Sequence, residues 1–337
     1  MPGAAAIGQR ALRAFGRWTA SSLSIAVLSC GGGLLDGGYD TPHGALPIDE
    51  RNPVLLTNDG GHDNWDGEVA VALSGAGRAT LLGFIVNESG YWPDINANLR
   101  EWNGLVDAAR ASGISVPSPT SSRATPLEMP ASGVIEDTTP HGSAGAQFIV
   151  ATAHRVGRTY RPIVVATGGG LTDVADAYLL DHSIVDLVVV VSSLGGPSGS
   201  DAIMGYPNGE FDPWADAIVA ARYRYIQANA YYDQAEDIPD SQVAQLPNNA
   251  LGQWIAAKRS MLLPGSTPCD QISVMAALLP SFAQRVVRMS KSGTVSIKGG
   301  QTVPAFSDDA NGNVWVVSGG DSAGAKDAFW QALTALP

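Results

Sequence analysis

Residues 53 to 68 read PVLLTNDGGHDNWDGE. The first five, Pro53 to Thr57, make a short apolar run of the kind that forms a strand buried on both faces. The remainder crowds Asp59, Asp63, Asp66 and Glu68, with Asn58, Asn64 and His62, around Gly60 and Gly61. A strand ending in so much oxygen reads in two ways. Asp, Asn and Gly are the ordinary material of an exposed turn. They are also the ligands of hard cations such as calcium, which takes about six to eight oxygens from carboxylates, carbonyls and water. On that second reading Asp59, Asp63, Asn64 and Asp66 are the metal-ligand candidates. The spacing is not that of an EF-hand, because the bidentate Glu that closes such a loop is missing.

Working outward, the same apolar texture returns in ATLLGFIV (79 to 86), RPIVVAT (161 to 167) and IVDLVVVVSS (184 to 193). Between these runs, EVAVALSGAG (68 to 77), LREWNGLVDAARASG (99 to 113), AGAQFIVATAHRVG (144 to 157) and LTDVADAYLLD (171 to 181) have helical spacing. Buried strands separated by helices predict an α/β fold, with a mainly parallel central sheet flanked by helices on both faces. Ligands of such sheets bind beyond the carboxyl ends of the strands. The acidic turn lies at one such end, and so do TGGGLTD (167 to 173) and SSLGGPSGSD (192 to 201). The Pro, Ser and Thr-rich segment from 117 to 140 reads as a surface excursion or lid.

Composition narrows the function classes. The chain has 337 residues, 45% of them hydrophobic, enough for a substantial core, and it shows neither an internal repeat nor a second independent core. A formal net charge of -12 leaves no basic stripe for nucleic acid and suits a protein that holds a cation. Two cysteines, Cys30 and Cys269, do not make a disulfide framework. At the N-terminus, Arg10, Arg13 and Arg17 precede WTASSLSIAVLSC, an apolar stretch too short to span a membrane. Residues 1–30 are therefore expected to be a signal peptide, 31–50 a flexible linker, and 51–337 a single domain of an exported protein. VLSC resembles a bacterial lipobox, which makes Cys30 a lipid-anchor candidate; a plain secretory signal with an incidental Cys is the alternative.

Several of these segments together resemble the nucleoside hydrolases, calcium-dependent N-ribohydrolases typified by the inosine-uridine-preferring enzymes. Their first loop reads DxDPGxDD, and here Thr57 to Asn64 follow the first strand in that place. HGSAG (141 to 145), VVATGGGLTDVADAYLLD (164 to 181), VVVVSSLGG (188 to 196), GEFDPWADAIVAA (209 to 221), PCDQISVMAALLPSF (268 to 282) and the terminal VWVVSGGDSAGAKDAFWQALTAL (314 to 336) resemble further family segments in the family's order. The resemblance implies one calcium ion, held by Asp59, Asn64 or Asp66, Asp270 and the backbone carbonyl of Thr167 or Gly168. Asp59 would be ligand and general base. Asp63 would contact ribose hydroxyls, and Glu210 and Asp212 would grip the sugar. Asn208 and Asn87 would stand toward the 5' side, and His141 and Cys269 toward the leaving base.

The departures matter as much. Thr57 replaces the family's first Asp, Asn64 its fourth and Asp212 a sugar-binding Asn, while Cys269 stands where many members carry a His that protonates the leaving purine. A thiol, with an ordinary pKa of about 8.5 against about 6.5 for imidazole, is a poor acid for that task. Two expectations stay open on these residues. One is an exported calcium-dependent hydrolase of N-glycosidic bonds, most simply of ribonucleosides. The other is a protein of the same fold that binds nucleosides or sugars without turnover, or that hydrolyses a different glycoside. The expected partner is a small nucleoside or sugar, with no nucleic acid, membrane contact only through a lipid at Cys30, and self-association into a homo-oligomer left open.

Overall fold

Alternating buried runs and helices do build the parallel sheet that their spacing predicts. The computed structural model describes residues 45–60, 65–90, 92–193, 211–228, 240–261, 271–296 and 302–336. Within these, β1 (Val54–Asn58), β2 (Leu81–Val86), β3 (Pro119–Ser121), β4 (Ile163–Thr167), β5 (Val188–Ser193), β6 (Arg224–Ala228), β7 (Ala283–Ser296), β8 (Thr302–Asp308) and β9 (Val314–Gly320) share one sheet. Their spatial order is β3-β2-β1-β4-β5-β6-β9-β7-β8. The first six strands and β9 run parallel, whereas β7 is antiparallel to both β8 and β9.

Because side chains alternate across a strand, each strand feeds two cores. Val54, Leu56, Phe84, Val86, Val164, Ala166, Val189 and Val191 face one side, against α1 (Asp66–Gly75), α2 (Ile95–Ala111), and the later helices Ala250–Met261, Gln271–Leu278 and Ser322–Thr334. Leu55, Ile85, Ile163, Val165, Val188 and Val190 face the other, against α3 (Ala144–Val156), α4 (Thr172–Leu180) and α5 (Pro213–Arg222). Each of these fully buried aliphatic side chains contributes roughly 1.5 to 3 kcal/mol relative to exposure. Helix entries are set by side-chain caps. Asp94 accepts from Asn96 N and Ala97 N, Ser143 from Ala146 N, and Asp321 from Gly324 N.

Two expectations are corrected. The strand predicted over 184 to 193 begins only at Val188, because His182–Asp186 forms a 3-10 turn that Asp181 caps through Ser183 N. The segment 117 to 140 is no free excursion: it supplies edge strand β3, a 3-10 turn at Ile135–Asp137, and buried Ala124, Leu127 and Ile135. The signal segment 1–30 and most of the 31–50 linker lie outside the described residues, as does Cys30. No helix among the described residues is long and apolar enough to cross a membrane.

Among strands β1 to β6 the order reverses between β1 and β4. From β1 the chain moves outward through β2 and β3, then returns to β4 on the other side and continues away through β5 and β6. The carboxyl ends of β1 and β4 therefore frame the crevice where an open α/β sheet binds its ligand.

Candidate active site

The sheet's carboxyl edge is marked by a polar row laid across apolar strands. In register, Thr57 of β1 pairs with Thr167 of β4, Thr167 with Ser192 of β5, and Ser192 with Gln227 of β6. All four are buried. One residue beyond the row on β1, Asn58 is followed by Asp59, which is only 5% exposed. The turn after β4 meets it. Gly168 N donates to Thr57 O at 3.0 Å, and Thr167 Oγ1 donates to Gly169 O at 2.8 Å. A Cβ at Gly169 would lie 3.1 Å from Asn87 Oδ1 and 3.2 Å from Asp59 N, so the bare backbone lets the two strand ends approach.

Strand β2 contributes Asn87, whose N donates to Asn58 O at 2.9 Å and whose Nδ2 lies 3.3 Å from Thr57 Oγ1. Behind it Asp173, in the first turn of α4, is fully buried. Its Oδ1 accepts from the hydroxyls of Ser122 and Ser143, each at 2.7 Å. Burial raises the Asp173 carboxyl, and the hydroxyls of Ser143 and Ser122 and then the Asn87 side chain oppose that rise. Asn87 Oδ1 and Asp173 Oδ2 are buried without a hydrogen-bond partner among the described residues. Buried acceptors of that kind call for a donor or a cation.

The predicted site residues separate into groups. Asp59 and Thr167 come together at the crevice with the Gly168 turn. Asp66, at the start of α1, is buried behind Asp59, where its Oδ2 accepts from Asn58 Nδ2 at 2.6 Å. Burial pushes its carboxyl up to about 6, opposed by the Lys258 ammonium and the Asn58 amide. Asp212 is occupied by the chain itself. Its Oδ1 caps α5 through Ala215 N at 2.9 Å, and its Oδ2 accepts from Leu127 N at 2.9 Å and Thr172 Oγ1 at 2.8 Å. It ties the 117 to 140 segment and α4 to the start of α5, a supporting job different from the expected grip on a sugar. His141 is exposed. Its N donates to Asp176 Oδ1 at 2.8 Å, and its ring Nδ1 lies 3.1 Å from Thr125 O. Asp63, Asn64, Asn208, Glu210, Cys269 and Asp270 lie outside the described residues.

Among the described residues, no group of three or more His, Cys, Asp or Glu side chains could hold a metal ion by itself. What they offer is all oxygen: the Asp59 carboxylate, strand-end carbonyls, and Asn87 Oδ1. Such a donor set fits a hard cation completed by carboxylates from elsewhere. Sequence reasoning missed Lys258 and Glu101, which meet Glu68 of the acidic stretch from separate helices. They are far from it in the chain, and no local pattern marks them.

No family model and no curated protein matches the sequence. Solved structures do match. An inosine-guanosine nucleoside hydrolase aligns with a TM-score of 0.59 at 15% identity over 83% of this chain and 98% of its own. An inosine-uridine preferring nucleoside hydrolase from Bacillus anthracis aligns with a TM-score of 0.59 at 13% identity, over 84% and 99%. A plant nucleoside hydrolase gives 0.58 at 14% identity over the same shares. Identity this low carries the fold and nothing finer.

Proposed function

We propose that this chain, which has the fold of the nucleoside hydrolases, is an exported calcium-dependent hydrolase of N-glycosidic bonds, with ribonucleosides as the simplest substrates. The observation that carries the reading is the meeting of Asp59 with the Thr167–Gly169 turn at the β1/β4 reversal, beside Asn87 Oδ1, a buried acceptor without a partner among the described residues. Asp59 and the Thr167 or Gly168 carbonyl would hold the ion, together with Asn64 or Asp66, and Asp270. Calcium there supplies fixed positive charge that favours loss of a proton from water and draws in neighbouring hydroxyls.

The rest is the work of the chain's own groups. Asp59, pinned at a strand end, takes the proton of the attacking water on the sugar's face. Glycosidic cleavage develops positive charge on the sugar ring, so carboxylates and amide oxygens lining the crevice bind the transition state more tightly than the substrate. Asn87 Oδ1, Asp63 and Glu210 are the candidates for that work. Asp212 supports them by fixing the entry to α5. Burial of the crevice floor excludes bulk water and strengthens each of these contacts.

A second reading, a nucleoside- or sugar-binding protein without turnover, draws on Thr57, Asn64 and Cys269, where the resemblance loses charge or an acid. The experiment that separates them measures release of free base or reducing sugar from a panel of nucleosides with calcium present. Release above background supports the hydrolase. Ribose binding without any release supports the binding protein or a different glycoside.

A further inference from the structure

Behind Asp59, on the side away from the β4 turn, a buried charge cluster joins three helices. Lys258, of Ala250–Met261, is 7% exposed. Its Nζ lies 3.1 Å from Glu68 Oε1 of α1 and 3.5 Å from Glu101 Oε1 of α2. Trp254 Nε1 donates to the same Glu68 oxygen at 3.0 Å. Asp66, two residues before Glu68, lines the same small cavity as Lys258 and Asn58, about 10 Å³ and so room for about one water. From this cluster a chain of hydrogen bonds leads out to the crevice. Asn58 Nδ2 donates to Asp66 Oδ2 at 2.6 Å, and Asp59 N donates to Asn58 Oδ1 at 2.8 Å. Trp102 Nε1 holds the next peptide unit, donating to Asp59 O at 2.9 Å.

A carboxamide has one accepting and one donating end. Asp59 N–H needs the accepting end of Asn58, which leaves the donating end pointing inward. Asp66 Oδ2 stands as the acceptor at that inward end, which selects that orientation of the amide and disfavours its flip. We propose that Asp66 is a positioning residue for Asp59, acting through Asn58, that the Lys258 cluster holds it there, and that Asp66 is not a ligand of the metal. The hydrogen-bond part stands on geometry alone; its consequence for catalysis rests on the proposed function above.

Two measurements test the inference separately. In the calcium-free protein, amide hydrogen exchange at Asp59 reads the relay directly, with Val165 as the control in the buried sheet. Asp66→Leu, similar in size but unable to accept, should speed Asp59 exchange by about tenfold or more with Val165 unchanged, and Asp66→Asn, which keeps an acceptor, should restore protection. Asp66→Ala serves in the same way should the Leu variant fail to fold. Unchanged Asp59 exchange in the Leu or Ala variant overturns the relay, as does failure of Asp66→Asn to restore it.

The second measurement is calorimetric titration with calcium alone, joined to nucleoside kinetics. A positioning role predicts calcium affinity within about threefold of wild type in Asp66→Asn, and in Asp66→Leu a fall in kcat of about ten- to a hundredfold with little change in KM. A loss of calcium affinity of about a hundredfold in Asp66→Asn makes Asp66 a ligand and overturns the proposal. Should the wild type bind no calcium and cleave no nucleoside, the proposed function falls, while the exchange measurement still decides the relay.

Discussion

Asp59 is the residue on which the chemistry turns, and its surroundings state what replacing it should do. Asp59→Asn keeps the shape, one ligand oxygen and both backbone bonds, to Asn58 Oδ1 and from Trp102 Nε1. It should therefore lower hydrolysis by about a hundredfold to ten-thousandfold, the usual worth of a general base, while ribose affinity by equilibrium dialysis changes little. Full activity in that variant sinks the assignment of the base. Asp216 poses the opposite case. It is buried in α5, neither carboxyl oxygen has a hydrogen-bond partner among the described residues, and burial and then the Asp212 charge push its carboxyl well above the ordinary range. A folded-state pKa above the unfolded one means that the folded chain binds more protons, so this group lowers stability as pH rises above the ordinary carboxyl range. Asp216→Leu should stabilise the protein at neutral pH by about 1 to 3 kcal/mol in urea denaturation, with a smaller gain at acid pH. A destabilised Leu variant would mean that Asp216 has a partner of its own at work.

At the scale of elements, the joint after α4 shows how one side chain ends a helix and starts a turn. Asp181 Oδ1 accepts from Ser183 N at 2.9 Å and Ser183 Oγ at 2.7 Å, and its Oδ2 meets His154 Nε2 of α3 at 2.7 Å. The Ser183 hydroxyl first, then His154, hold its carboxyl down at about 2. With a folded pKa depressed below the unfolded one, the stabilisation is present above the ordinary value of 3.8 and is lost as pH falls through about 2. Its side chain is 31% exposed, so solvent screening keeps the contribution to about 1 kcal/mol. Asp181→Asn should be less stable than wild type by that amount near neutral pH and equal to it at about pH 2, read by denaturant titration at both. An equal deficit at both pH values would assign the effect to shape rather than charge. This joint also explains the missed boundary at 184 to 188. Ile184 and Val185 are as apolar as a strand, but the Asp181 cap turns them into a 3-10 segment first.

For the whole molecule, an acidic chain with Asp59 at the carboxyl end of β1 should be stabilised by the ion it is proposed to hold. Calcium at about a hundredfold excess over its Kd should add about 2.7 kcal/mol, seen as a raised Tm that a chelator reverses. A melting curve indifferent to both removes the metal from the proposal. Export has its own test. With Cys30 as the lipid-bearing residue, the protein partitions with membranes and Cys30→Ala releases it or blocks its processing, whereas soluble wild type cleaved elsewhere favours a plain secretory signal. The sequence alone was enough for the parallel sheet and for Asp59 and Thr167 standing at the carboxyl ends of neighbouring strands. Strand burial and Gly-bearing turns are local patterns, written in consecutive residues. The reversal between β1 and β4, the buried Asn87 Oδ1 without a partner among the described residues, and the tie of Asp212 to Leu127 and Thr172 are not local. Nor is the cluster that brings Lys258 to Glu68 and Glu101 beneath Asp66. Each joins residues from separate elements, and only the packing of helices on a sheet decides which distant side chains share one low-dielectric space, where charge and hydrogen bonding count most.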